Sequence, residues 1–367
     1  MHNSFIRIFI IVFILLAVVC TSLVSACGIH KLKITENPVL EESGLPAETS
    51  DNGDVSAGRE IGSDIVGKEV AGKEVTVVIN YVNPFKYSGE YNCNIVFSQG
   101  NRIDTLDVYI PTPAEWDSQK EVSLITYTEN GKLLEDEDGN RYISYNESEL
   151  RDNVLALSQS FTFTCYEINT SLGGFEDIPD YDTHSPLYLK YTKDENYIEK
   201  DFFKEITPDI IGDEKNKLKQ IKIIYDYILD NLNYRNNDFQ GAKFAYQTMG
   251  GECGEYAALF VALLRSIGVP ARPVSGFWAD PRYGQTHVWA EFYIQDIGWI
   301  PVDPTIGQQN DQSRQYYFGN LDNCRLIMSK NFNIKLDNNV AGLFQVGAFW
   351  WYGSGEDPEF NFEYKMK

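Results

Sequence analysis

The sequence predicts an α+β protein in which an antiparallel β region, of sandwich type, precedes a segment where helices come before strands. Three observations carry this. Short β-type runs at Val75 to Val82, Thr105 to Ile110 and Ser160 to Ile168 alternate with turn-rich stretches up to about Tyr191. A helical stripe follows at Leu218, Ile221, Ile224, Tyr225, Ile228 and Leu232, with charges on the other side. An apolar helix from Cys253 to Ile267, closed by Gly268 and Pro270, then leads into strand patterns around Val274, at Val288 to Ile294 and at Trp299 to Val302.

At 367 residues the chain has room for a terminal segment and two domains, and 43% hydrophobic content can fill both cores. The formal charge of −22 excludes a polyanionic partner such as nucleic acid, because phosphate binding needs a concentrated Lys/Arg surface. Residues 1–27 read as an export signal: Arg7 precedes an uncharged apolar run from Ile8 to Val19, and Leu23-Val24-Ser25-Ala26-Cys27 places small residues before a cysteine. This end resembles a bacterial lipoprotein signal, which implies cleavage before Cys27 and its acylation as a membrane anchor. An uncleaved anchor and an ordinary signal peptide are the alternatives; all three put the protein outside the cytoplasm. Residues 28–74 read as a flexible tether, since Glu36 to Glu74 is rich in Gly, Ser, Glu and Asp, lacks aromatics and nearly repeats itself as Gly67-Lys68-Glu69-Val70 and Gly72-Lys73-Glu74-Val75. The β domain is expected over 75–200, and the α+β domain over 201–367, with an aromatic tail packing onto its core.

Within the β region, Asp136, Asp138, Asn140 and Glu147 have some of the spacing of a calcium loop. Asp138-Gly139 is better read as a hairpin turn, because Arg141 stands where such a loop requires glycine. An exported chain favours disulfides. Past Cys27 the cysteines are Cys93, Cys165, Cys253 and Cys324, and Cys93 with Cys165 is the pair to examine because both fall in the first domain.

The chemistry concentrates in the second domain. Cys253 opens its helix behind Gly250-Gly251, where the helix dipole and a neighbouring imidazole would lower a thiol pKa and free N–H groups would stabilise an oxyanion. A small buried hydrophobe is the plainer role for a lone cysteine. The histidine inventory favours chemistry: beyond the signal and tether only His184, in a turn-like stretch, and His287, at the start of an alternating strand, remain. His287 lies on the side of that strand away from Val288, Ala290, Phe292 and Ile294. A return strand brings Asp303 opposite Trp289 and diagonal to His287 if the connection has three or five residues, and turns it away if it has four.

These residues resemble the core of the transglutaminase-like superfamily. The resemblance runs from about Leu218 to Thr305 and rests on Gly251 to Val274, His287-Val288-Trp289 and Trp299 to Thr305. It is weaker for Leu106 to Tyr145, which looks like the β domain that often precedes this core in bacterial members. It implies a papain-like fold with Cys253, His287 and Asp303 as the catalytic residues: Cys253 attacks a peptide or protein carboxamide, His287 carries the proton, Asp303 orients the imidazole, and water or an amine resolves the thioester. Gln247, six residues before Cys253, has the spacing of the oxyanion donor of papain-like proteases, with Tyr246 as its rival. Trp289 and Trp299 are candidate walls of the acyl site, or else core residues. Glu252 and Glu255 are expected in solvent. No cofactor or metal is expected, since two histidines without a C-x-x-C pair cannot supply zinc ligands. The competing reading is a silent module that binds cell-wall or polypeptide ligands. Oligomeric state is not legible.

Overall fold

The computed structural model describes residues 63–70, 73–147, 153–172, 178–280, 286–336, 339–342 and 344–367. The export signal, Cys27 and most of the expected tether lie outside the described residues. Among those described, no helix is long and apolar enough to cross a membrane.

The end of the expected tether is strand rather than linker. β1 (Ser63–Val70) pairs antiparallel with β2 (Lys73–Val96), with Val70 opposite Lys73 and Gly67 opposite Thr76. The near-repeat is therefore the two arms of one hairpin, and its polar composition is tolerated because a ladder needs backbone partners before it needs apolar side chains.

β3 (Arg102–Thr112), β4 (Gln119–Tyr127), β5 (Lys132–Glu135), β6 (Arg141–Glu147) and β7 (Val154–Thr170) complete the first domain's own strands. One sheet runs β1-β2-β7-β4, and a second holds β3-β6-β5. Alternate residues of both, among them Tyr91, Ile95, Leu106, Val108, Phe161 and Phe163, are buried in one shared core. The long β2–β7 ladder separates the proposed disulfide pair. Cys93 sits opposite Leu157 while Cys165 sits opposite Phe85. Eight positions of strand between 157 and 165 amount to roughly 26 Å, far beyond disulfide reach. The Asp138-Gly139 stretch is the expected hairpin: Asp136 accepts hydrogen bonds from the Asp138 and Asn140 amides at 2.8 and 2.9 Å, and from the Asn140 side chain at 2.8 Å.

The second domain begins with α1 (Pro186–Tyr191), a 3-10 turn (Lys200–Phe203), α2 (Thr207–Ile211) and α3 (Lys217–Asn231). Asn216 caps α3 by accepting from the Lys219 amide at 2.8 Å. After β8 (Asn233–Tyr234) come α4 (Ala242–Thr248), β9 (Gly250–Gly251) and α5 (Cys253–Ser266). The sequence stripe on α5 suggested one buried face, but every residue from Gly254 to Arg265 is buried. Ala257, Ala258, Val261 and Ala262 make the remaining side small and apolar, so α3 and α4 pack closely on it.

α5 lies on a four-stranded antiparallel sheet, β12-β11-β10-β13, made of β10 (Ala271–Trp278), β11 (Thr286–Ile294), β12 (Gly298–Val302) and β13 (Arg325–Lys330). α6 (Pro304–Gly307) and α7 (Asp311–Tyr316) connect β12 to β13. This sheet is covered on both faces: Val274, Val288 and Ile327 join the α5 core, whereas Phe277, Leu326 and Met328 join the core of the β domain. A Cβ on Gly276 would come within 1.9 Å of the Leu326 carbonyl oxygen, so the glycine permits β13 to approach β10 at a bulge.

The tail does not pack onto the helical core as expected. Past the short hairpin β14 (Ile334–Leu336) and β15 (Asn339–Ala341), β16 (Ala348–Ser354) pairs with β3 and β17 (Glu359–Met366) pairs with β2. Both tail strands extend the sheets of the first domain, and the Tyr91 hydroxyl donates to the Val346 carbonyl. The aromatic run at 348–352 belongs on these edges because edge strands with large apolar faces need cover.

Candidate active site

Cys253 is the first residue of α5, half-buried, behind an acidic capping box. Glu255 accepts from the Glu252 amide at 3.0 Å and from the Gln240 amide at 2.7 Å, and the Glu252 carboxylate accepts from the backbone of Glu255 in return. The expectation that both glutamates face solvent therefore fails for Glu255, which is fully buried. Gly251 has no alternative here, since a Cβ would lie 2.4 Å from that of Glu255. Burial pushes the Cys253 thiol up to about 12; a backbone hydrogen bond from Val288 offsets part of this, while the Glu252, Asp303 and Glu255 carboxylates add to it. Burial thus works against the thiolate that the sequence led one to expect, and the two carboxylates of the box add to it by sitting on the positive end of the helix.

The partner residues sit on the adjoining sheet. β11 and β12 pair with Ala290 opposite Val302 and Ile294 opposite Gly298, leaving a three-residue connection, Gln295 to Ile297. Continued by one pair, this register sets Asp303 opposite Trp289, on the same side as His287. The contact forms: His287 Nε2 lies 2.8 Å from Asp303 Oδ2. Both are buried. Asp303 also caps α6, its Oδ1 accepting from Thr305 and Ile306 amides at 3.1 and 3.0 Å. Burial acts upward on the Asp303 carboxyl, but His287 and Arg325 outweigh it and hold the group well below the carboxylate range. Cys253 reaches the same strand through Val288, the residue after His287.

Three contributors were not legible in the sequence. Arg325 Nη1 lies 2.5 Å from Asp303 Oδ2, and its Nε and Nη2 donate to Asp322 at 3.0 and 2.8 Å. Trp278 stacks on the His287 ring at 4.9 Å between centroids, and the Arg325 guanidinium lies 4.3 Å from the centre of that indole. Arg325 and Asp322 fall in the tail beyond every motif; the nearest signal was a lone Asp-Asn-Cys-Arg tetrad.

Both expected substrate walls have packing partners. Trp289 is fully buried, and Trp299 lies under the Arg272 guanidinium at 3.9 Å with Tyr191 and Tyr293 against its edges. Gln247 is exposed on α4, while its rival Tyr246 packs edge-on against Phe202 and Phe203. His184 is on the surface, 96% exposed at its side chain. Among the described residues no three His, Cys, Asp or Glu side chains are grouped to hold a metal ion.

The model of the transglutaminase-like superfamily matches residues 204–304. This stretch is a transglutaminase-like core. An uncharacterised protein of Haemophilus influenzae is 29% identical over 146 residues, 32% of this chain and 38% of that one. A protein-glutamine gamma-glutamyltransferase of Pseudomonas aeruginosa is 32% identical over 72 residues, 17% of this chain and 11% of the other. The chain thus spans well under two thirds of both relatives. The crystal structure of a candidate cysteine protease from Cytophaga hutchinsonii superposes with a TM-score of 0.58 at 17% identity, covering 79% of this chain and 92% of that one, a likeness of fold. Within residues 204–304 the start of α5 and strand β11 meet at Cys253 and Val288.

Proposed function

We propose that the protein is a thiol acyl-transfer enzyme in which Cys253 attacks a peptide or protein carboxamide, His287 takes the thiol proton and returns it to the leaving amine, and Asp303 holds the imidazole. The His287–Asp303 bond carries the reading. It occupies Nε2, so Nδ1 is the nitrogen available to the thiol, and it forms only because the β11–β12 register matches. A thiol held above its ordinary pKa is still a competent start, since proton transfer to the imidazole can accompany attack. Water resolving the thioester gives hydrolysis; an amine gives transamidation. The names of the similar proteins, a gamma-glutamyltransferase and a candidate cysteine protease, span both outcomes. The export signal supports a place outside the cytoplasm, tethered to the membrane through lipid at Cys27.

One observation favours the silent binding module instead: burial pushes the Cys253 thiol up to about 12. Iodoacetamide labelling of the full-length protein across pH, with the modified residue located by mass spectrometry, separates the two. An enzyme shows Cys253 labelling at neutral pH that His287→Ala removes; labelling that rises only near pH 12, unchanged in His287→Ala, would sink the acyl-transfer reading.

A further inference from the structure

We propose that Arg325 is a positioning residue of the acyl-transfer site, sharing Asp303 Oδ2 with His287 so that the imidazole stays a neutral proton acceptor. The inference rests on the acyl-transfer reading and assigns a role to a residue outside the 204–304 core. His287 Nε2 and Arg325 Nη1 converge on one oxygen, at 2.8 and 2.5 Å. The guanidinium cannot swing away: Asp322 grips its other edge at 3.0 and 2.8 Å, and the rings of Trp278, Tyr317 and Trp289 surround it at 4.3, 5.4 and 5.3 Å. It is 4% exposed. Trp278 pairs with Arg325 across the β10–β13 ladder and also stacks on His287, so a single indole fixes the planes of both side chains.

The charges explain the arrangement. Asp303 meets the imidazole from the end of β12, Arg325 meets Asp303 from β13, Asp322 lies one contact further out, and Cys253 at the start of α5 reaches β11 at Val288. Glu252 and Glu255 act on the thiol side. Without Arg325, two buried carboxylates would surround one histidine and favour the imidazolium, which cannot accept the Cys253 proton. With it, Asp303 keeps enough charge to orient Nε2–H but is shared between two donors. A guanidinium suits this because it is permanently charged and its fork engages both aspartates at once.

The signs are definite for the pH at which the doubly protonated Cys253–His287 pair loses its first proton, read as the acid limb of iodoacetamide labelling. Removing the Arg325 charge disfavours both imidazole deprotonation and thiolate formation, so the limb moves up; removing the Asp322 charge moves it down. In the full-length protein, Arg325→Met should raise the limb by about one pH unit. Arg325→Lys should restore it towards wild type, and Asp322→Asn should lower it. Opposite shifts are not expected of a residue that only braces the fold. Limbs that coincide in all variants, while His287→Ala still abolishes neutral-pH labelling, would overturn the role of Arg325 and leave the acyl-transfer reading intact. If His287→Ala changes nothing, that reading fails and the inference falls with it. Should Arg325→Met not fold, judged by its thermal transition, Asp322→Asn and Arg325→Lys decide: a limb unmoved or raised in Asp322→Asn overturns the proposal.

Discussion

Two buried charge clusters share one side of β11, four residues apart, and behave differently. At Glu291 the carboxylate is gripped by Arg272 at 2.8 Å and Lys330 at 2.9 Å, from the strand on one side and the strand beyond it. Burial acts upward on this carboxyl, yet Lys330 and Arg272 overcome it and bring it down to about 2. At His287 the members are an imidazole, two aspartates and an arginine, and the thiol of α5 comes in at the edge. Two basic side chains close the first cluster. The second holds an imidazole on Asp303, with a thiol beside the same strand. The same strand, burial and hydrogen-bond lengths thus give a brace at one end and a candidate site at the other. What distinguishes them is an imidazole and a thiol in the place of a second basic side chain.

The largest expected effect tests that division directly. Cys253→Ala or His287→Ala should cost on the order of 10³-fold or more in amide hydrolysis or amine incorporation, with the thermal transition retained, whereas Glu291→Gln should spare the chemistry in whatever fraction folds. Glu291→Ala should do the reverse. Leaving Arg272 and Lys330 buried without their carboxylate is expected to cost about 3–5 kcal/mol in urea unfolding, and a stability loss no larger than that of Cys253→Ala would erase the contrast.

A pH series sharpens it further. The Glu291 carboxyl titrates at about 2 folded against an ordinary 4.5, so its contribution is complete above pH 4.5 and is lost as pH falls towards 2. Unfolding free energy measured across that window should decline in wild type and flatten in Glu291→Gln. A smaller effect is expected of Gly251→Ala, whose Cβ would meet Glu255 at 2.4 Å and disturb the capping box, at about 1–3 kcal/mol by calorimetry. Least of all, Gln247→Ala on exposed α4 should change stability by no more than about 0.5 kcal/mol and leave Cys253 labelling as it was, unless the side chain turns in as an oxyanion donor.

Much of this site was legible because its parts obey short-range rules. The Gly250-Gly251-Glu252-Cys253 start of α5 and its Gly268 stop are local backbone signals. Period-two alternation assigned His287 its side of β11, and turn length gave the condition that Asp303 meets. Where long-range pairing decided, local reading failed. The tether's near-repeat is a hairpin, the aromatic tail returns to β2 and β3, and Cys93 and Cys165 are strangers on a long ladder. Trp289 and Trp299 look alike in sequence to residues that wall a cleft; only the fold puts Trp289 in the core and Trp299 under Arg272.

The sequence by itself determined the α+β class, the helix that presents Cys253, the strand that presents His287 and the register on which Asp303 depends. Tertiary structure decided the burial that pushes the Cys253 thiol up and the presence of Arg325 on the Asp303 carboxylate. The physical reason is range. Periodicity, caps and turns act over a few residues and are written in order along the chain, whereas electrostatic environment sums over every charge within several ångströms, including a β13 arginine 22 positions past Asp303.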